Sequence, residues 1–243
     1  MNLIIDIGNT IAKTAVFQRS ELLEKYVTNK AHLNEKIQKI SEKFLSIGAV
    51  VVSDVSAENY SLPVELFHNP FLLEISETTS LPFENLYETP ETLGNDRKAL
   101  VAAASKLFPS RNVLVIDAGS CITYDLKDEK NRYLGGAISP GLRMRLKSLH
   151  SFTGKLPEVE PVQVEDVLGR STRGSILTGV IEGIRMEMDG FIDAYRERNN
   201  NLITILTGGD ADFLSVNLKN SIFANSNFLL EGLNHILEFN TNR

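Results

Sequence analysis

The sequence predicts an α/β protein made of two copies of one strand–hairpin–helix unit, and three observations carry that prediction. A short apolar run ending in Asp-x-Gly-polar occurs twice, as Leu3-Ile4-Ile5-Asp6-Ile7-Gly8-Asn9-Thr10 and as Leu114-Val115-Ile116-Asp117-Ala118-Gly119-Ser120-Cys121, 111 residues apart. Each copy is followed by segments that read as a β-hairpin and then a helix. Glycine is also unevenly spread: only Gly8 and Gly48 precede residue 94, and the other 14 of 16 lie from Gly94 onward. Glycine permits positive φ and close backbone approach, so the second part should hold more tight turns and ligand-facing loops. The shift places the junction of two lobes near residues 94–112, giving lobes 1–111 and 112–243 with a cleft between them.

The elements follow in order. Leu3–Asp6 is a short buried strand, and Lys13–Phe17 with Leu22–Thr28 completes an antiparallel meander. Leu33, Ile37, Ile40 and Phe44 recur at helical spacing, which predicts a helix over 31–45. The Val-Val-Val run in Ala49–Ser53 is too short for a helix and reads as a buried strand. Residues 54–93 read as irregular, with weak strands at 66–67 and 71–75. A helix with an N-cap is expected over 95–108. Val113–Asp117, Cys121–Leu126 and Tyr133–Ile138 repeat the meander, and a helix starts near Leu142. Leu177, Ile181, Ile184, Met188, Phe191 and Tyr195 line one face of a long helix over 172–198. Leu202–Thr207 is a strand ending in Gly208-Gly209, and a helix and a strand–helix pair close the chain.

Composition bounds the function. The chain has 243 residues, 42% of them hydrophobic, and a net charge of −6 with a pI near 5.3. A mildly acidic chain without a basic block is a poor match for nucleic acid or an anionic membrane surface. One cysteine, Cys121, excludes an internal disulfide framework and a multi-cysteine zinc site. His32, His68, His150 and His235 lack metal-ligand spacing. No apolar run reaches the roughly 18 residues of a membrane span. The first residues lack the basic start of a signal peptide, so a cytoplasmic location is expected.

Three motifs carry chemistry. In Asp6-Ile7-Gly8-Asn9-Thr10 an acid stands at the carboxyl end of a strand, where α/β ligand sites form. Gly8 allows a turn with inward N–H groups, and Asn9, Thr10 and Lys13 add donors, a set suited to phosphate oxygens with a divalent cation on Asp6. A capped Asp-Gly hairpin turn would look the same in isolation. The second copy, Asp117 to Ser120, repeats the arrangement, and two opposed loops suit a polyphosphate. In Gly94-Asn95-Asp96-Arg97 a carboxylate enters the first turn of a helix, where the dipole favours an anion that accepts a hydrogen bond from a hydroxyl. Arg97 offers a bidentate fork for a carboxylate. Thr207-Gly208-Gly209 and the donor cluster from Gly169 to Ser175 are weaker signals. Neither G-x-G-x-x-G nor G-x-x-x-x-G-K-[ST] occurs, which disfavours a dinucleotide fold and a P-loop.

The paired D-x-G-[NST] loops and the T-G-G resemble the actin–hexokinase–heat-shock ATPase superfamily of nucleotide phosphotransferases. Within it, D-I-G-N-T at 6–10, L-G-N-D-R at 93–97, D-A-G-S-C-I-T at 117–123, G-G-A-I-S-P-G at 135–141 and the helix entry at 172–179 resemble type III pantothenate kinases. The resemblance implies a duplicated actin-like (ribonuclease H-like) two-lobe fold with an interlobe ATP cleft. It implies transfer of the γ-phosphate of ATP to the primary hydroxyl of pantothenate, the first step towards coenzyme A. Carried over by position, Asp6, Ile7, Gly8, Asn9, Thr10, Ile11, Ala12 and Lys13 form the ATP loop, with Asp6 near Mg²⁺ and Ser120 also touching ATP. Asp117 sits at a monovalent-cation site for K⁺ or NH₄⁺. Tyr87, Gly94, Asn95, Asp96 and Arg97 line the pantothenate pocket, with Asp96 as the catalytic proton acceptor. Thr172 contacts pantothenate from the second subunit of a homodimer, whose active site lies at the subunit interface. Ser120 replaces the family's usual Thr but keeps a hydroxyl. Ser53-Asp54-Val55-Ser56 departs from the Ser-Ser-Val-x-Pro pattern, and no role rests on it. A non-catalytic, ATP-binding transcriptional regulator of the same family and another small-molecule kinase of the superfamily are the rival readings. The retained acids, with Tyr87 and the 93–97 motif, favour the kinase acting on a small carboxylated alcohol.

Overall fold

A computed structural model describes residues 1–8, 11–54 and 60–241. Contacts divide the chain into two compact units, one of residues 1–107 with 227–243 and one of residues 108–226.

The first unit opens with β1 (Asn2–Ile7), β2 (Ile11–Gln18) and β3 (Glu21–Asn29), an antiparallel meander. Asn29 accepts a hydrogen bond from the Ala31 N–H and starts a single 3₁₀ turn that runs into α1 (Leu33–Lys43). The chain returns as β4 (Ala49–Asp54), parallel to β1, and β5 (Phe71–Glu74), parallel to β4. The sheet order is β3-β2-β1-β4-β5. A two-residue strand, β6 (Glu84–Asn85), and a 3₁₀ turn at Pro90–Thr92 precede α2 (Asn95–Leu107). Strand alternation sorts the core. Leu3, Ile5, Ile7, Val50 and Val52 pack with Leu33, Ile37 and Ile40 of α1, while Ile4, Ala15 and Val51 are buried on the opposite face.

The second unit repeats the plan. Its strands are β7 (Val113–Ala118), β8 (Cys121–Lys127), β9 (Arg132–Pro140), β10 (Ile203–Thr207) and β11 (Phe223–Ala224), and they run in the order β9-β8-β7-β10-β11. The first three are antiparallel, and β10 and β11 are parallel to β7, as in the first unit. The helices are α3 (Leu142–Ser151), α4 (Thr172–Arg198) and the short α5 (Ala211–Ser215). α4 buries Ile176, Leu177, Val180, Ile181, Ile184, Met188 and Ile192 against Ile116, Ile122, Tyr124 and Leu206. Its other side leaves Met186 62% exposed.

The last helix, α6 (Phe228–Thr241), belongs by contact to the first unit. It packs along α2 and reaches β1 and β4. Asn234, almost fully buried, accepts from Asn2 Nδ2 at 2.8 Å and donates to the Arg19 carbonyl at 2.8 Å. The helices meet closely enough that a Cβ on Gly232 would lie 1.8 Å from the Ala99 carbonyl oxygen. The division read from the sequence, 1–111 and 112–243, keeps this helix with the second lobe. By contact it joins the first unit, because its apolar face is covered by the alanines of α2.

One element differs from expectation. Leu66–Phe67 is not a strand: Val64–Leu66 forms a 3₁₀ turn after Pro63, closed by the Phe67 N–H to the Val64 carbonyl at 3.1 Å. Pro63 lacks the N–H a ladder requires and starts a turn readily, and Phe67 is buried with the α1 cluster instead. Among the described residues no helix is long and apolar enough to cross a membrane.

Candidate active site

β1 delivers Asp6 to the carboxyl end of the first sheet. Register places Lys13 of β2 opposite it on one side and Ser53 of β4 on the other. Cross-strand partners share a face, so Lys13, Asp6 and Ser53 form one row. Ser53 Oγ, fully buried, donates to Asp6 Oδ1 at 3.2 Å. Burial pushes the Asp6 carboxyl up from its usual 3.8 to about 6. Lys13 and the Ser53 hydroxyl oppose that shift, whereas Asp96 and Asp54 reinforce it. The field of Asp96 at Asp6 joins the first loop to the first turn of α2. The Gly8 N–H bonds to the Ile11 carbonyl at 3.0 Å and closes the hairpin. Ile7 and Ala12 are buried, Ile11 is exposed and Lys13 half-buried. Asn9 and Thr10 lie outside the described residues.

The α2 entry holds the second group. Asp96 Oδ1 accepts from the Arg97 N–H at 2.8 Å. Its carboxylate covers Gly94, where a Cβ would lie 2.4 Å from Asp96 Oδ1. Arg97 is only 5% exposed, and its guanidinium lies 5.4 Å from the centre of the Tyr87 ring. That stack brings Tyr87 to the helix entry, ten residues downstream in sequence. Asn95 spends its amide on the protein: Nδ2 donates to the Ile75 carbonyl at 3.2 Å, and Oδ1 accepts from Lys98 Nζ at 3.3 Å.

In the second unit, Asp117 ends β7, with Thr123 of β8 and Thr207 of β10 as its register partners. The Gly119 N–H bonds to the Cys121 carbonyl at 2.9 Å, leaving Ser120 exposed at the tip and Cys121 at the start of β8. Gly208 sits against this loop with φ +102°, and a Cβ there would lie 2.4 Å from both Asp117 Oδ1 and the Ala118 carbonyl oxygen. The Asp210 N–H bonds to that carbonyl at 2.9 Å. Burial raises the Asp210 carboxyl, with Arg143 opposing. Thr172 is exposed and begins α4, whose N-cap Ser171 accepts from the Gly174 N–H at 3.0 Å.

Two contributors escape sequence reasoning. Ser53 belongs to a stretch given no role, and only the β1–β4 pairing, 47 residues apart, brings it to Asp6. Val55 and Ser56 of that stretch lie outside the described residues. Lys98, two residues past Asp96, is 4% exposed, and no periodicity marks a lysine as buried. Among the described residues no group of three or more His, Cys, Asp and Glu side chains gathers into a metal centre. A lone carboxylate such as Asp6 fits Mg²⁺, which is usually held by one or two carboxylates, phosphate oxygens and water.

A sheet order of 3-2-1-4-5 repeated in one chain, with an acid ending the first strand of each copy, defines the duplicated actin-like α/β class. Solved structures share the fold. One, described as a Baf family transcriptional activator from Campylobacter jejuni, has a TM-score of 0.63 at 23% identity, over 99% of this chain and 100% of that one. The activator of the 2-hydroxyisocaproyl-CoA dehydratase from Clostridium difficile, with bound ADPNP, has a TM-score of 0.53 at 13% identity. It covers 98% of this chain and 93% of that one. The family model for type III pantothenate kinase matches residues 2–194. The type III pantothenate kinase of Christiangramia forsetii is 55% identical over 99% of both chains, and that of Flavobacterium johnsoniae 49% over 98% of both. The chain belongs to the type III pantothenate kinase family.

Proposed function

We propose that this protein transfers the γ-phosphoryl group of ATP to the primary hydroxyl of pantothenate, the first step of coenzyme A biosynthesis. The observation that carries the reading is the acid at the α2 entry. Asp96 is exposed enough to meet a hydroxyl and lies within the field of Asp6, in a chain of this family. The transition state of phosphoryl transfer is loose, so positioning and charge neutralisation supply most of the catalysis. Asp96 orients the attacking hydroxyl and takes its proton late. Residues 6–13 and Ser120 hold the phosphates. Asp6 would hold Mg²⁺, which neutralises charge on the phosphate oxygens. Asp117 would hold a monovalent cation, K⁺ or NH₄⁺, for which its two threonine neighbours would supply oxygen ligands. Tyr87 and Gly94–Arg97 line the acceptor pocket, and Thr172 reaches pantothenate from the second subunit of a cytoplasmic homodimer. Lobes 1–111 and 112–243 are the two halves of the kinase, with the C-terminal helix packed on the first.

A transcriptional regulator is less well supported, because Asp6, Asp96 and Asp117 are all retained and the activator from Campylobacter jejuni shares the fold alone. ADP release, measured with ATP, Mg²⁺ and pantothenate in potassium and again in sodium buffer, tests the proposal. Pantothenate-dependent turnover is expected, with potassium required. ATP binding without turnover in either buffer would overturn it.

A further inference from the structure

Lys98 stands out among the ionisable groups that the proposed chemistry does not use. It lies on the first turns of α2 and is 4% exposed. Its ammonium donates to the Ser76 carbonyl at 3.2 Å and to Asn95 Oδ1 at 3.3 Å. Both acceptors are neutral, and among the described residues it forms no ion pair. Burial lowers its pKa, and the one opposing influence is the negative charge of Glu77, an exposed residue on the neighbouring turn. Buried lysines ordinarily have a partner, and a charge removed from water acts through a low dielectric over several ångströms.

Its bonds also define a clasp. Lys98 Nζ to Ser76 and Asn95 Nδ2 to Ile75 fasten the 75–76 segment to the α2 entry. The Ser76 carbonyl also accepts the Thr79 N–H at 3.4 Å, which rigidifies the turn the clasp grips. With both ends of its amide engaged, Asn95 is a strut, and the two basic side chains at the α2 entry are Arg97 and Lys98. Arg97 is covered by Tyr87; among the described residues Lys98 has no carboxylate against it.

We propose that Lys98 is a specificity-determining residue, whose buried, carboxylate-free ammonium biases the pocket of Tyr87 and Gly94–Arg97 towards an acceptor alcohol that carries a carboxylate. The inference rests on the reading of that pocket given above and adds the source of its charge selectivity. The uncharged competitor is the same alcohol with its carboxylate converted to a primary amide. An electrostatic contribution of this kind appears as a difference between charged and neutral ligands, which a purely structural clasp does not produce.

The experiment measures kcat/KM for pantothenate and for its primary amide, with the full chain, its Lys98→Met and Lys98→Arg variants, and Glu77→Gln. Lys98→Met is expected to lower kcat/KM for the acid by about tenfold, through KM, while the amide changes less than about threefold. Lys98→Arg keeps the preference, and the KM for ATP is unmoved in all variants. Glu77→Gln removes an exposed opposing charge without disturbing the core, and raises the acid-to-amide ratio by about twofold. Parallel loss for acid and amide in Lys98→Met, or an unchanged ratio in both Lys98→Met and Glu77→Gln, would overturn the inference. Should Lys98→Met fail to fold, the ratio in Glu77→Gln decides alone. A wild-type protein that binds ATP and phosphorylates neither acceptor would instead remove the kinase reading.

Discussion

Asp6 and Asp117 occupy the same place in two copies of one sheet, and their neighbours differ. Asp6 stands between Lys13 and Ser53, Asp117 between Thr123 and Thr207. The first row contains its own cation, and Lys13 opposes the burial that raises the Asp6 carboxyl to about 6. The second row has two threonine hydroxyls at the corresponding register positions. Thr123 Oγ1 donates its hydrogen to Asp125 Oδ2 at 3.0 Å, and the Tyr133 hydroxyl donates to Asp125 Oδ1 at 2.7 Å. With its proton so committed, the Thr123 oxygen offers lone pairs elsewhere. Duplication thus preserves the position of the acid, and the flanking strands decide whether its register partners are a lysine and a serine or two threonines.

That contrast can be broken from either side. The largest effect belongs to Asp96→Asn, whose acid acts electrostatically on Asp6: kcat should fall by about 10²–10⁴-fold while ATP affinity, followed by calorimetry, stays the same. Unchanged turnover would remove Asp96 from the chemistry. Next comes Asp6→Asn, read as stability against pH without nucleotide or Mg²⁺. Because the folded pKa lies above the unfolded one, the folded state binds more protons between about pH 4 and 6, and the wild type loses stability as pH rises through that window. The variant lacks that loss. Its unfolding free energy, from denaturant titrations, should therefore gain on wild type by on the order of 3 kcal/mol from pH 4 to pH 7, and a pH-independent difference would contradict the burial assignment.

Gly208→Ala probes the second row. It combines a positive φ with a Cβ 2.4 Å from Asp117 Oδ1, so a loss of about 2 kcal/mol is expected, together with a raised K⁺ requirement. A variant as stable and as potassium-responsive as wild type would show that the turn relaxes freely. Asp117→Asn should abolish the difference between potassium and sodium buffers yet leave the stability slope between pH 4 and 6 intact, separating the two rows in one protein. The smallest change is Ser53→Ala, which removes one hydrogen bond to Asp6 worth about 1 kcal/mol. It should move the pH window of stability loss upward, and an unmoved window would make Ser53 a bystander.

Much of this was legible in the residues. The two loops announce themselves because a buried apolar run cannot hold an acid except at its end. The helix over 172–198 follows from its apolar stripe, and α4 spans those residues. The 93–97 motif could be placed at a helix start because Gly94 precedes a periodic segment. The weak strand at 66–67 failed because Pro63 diverts the chain into a turn. The burial of Lys98 and the bond from Ser53 to Asp6 were hidden, since both depend on segments brought together from elsewhere in the chain.

By itself the sequence determined what is local: strand ends that carry acids, the spacing that makes α1 and α4 amphipathic, and a repeated pattern whose motifs identify the family. Only the tertiary structure decided which side chains flank each acid, that α6 closes the first unit, and that Lys98 is buried with no carboxylate beside it among the described residues. The reason is physical. Periodicity reports whether a residue faces a core, whereas register and helix docking fix which distant residues share that face, and that choice is made by packing across long sequence separations.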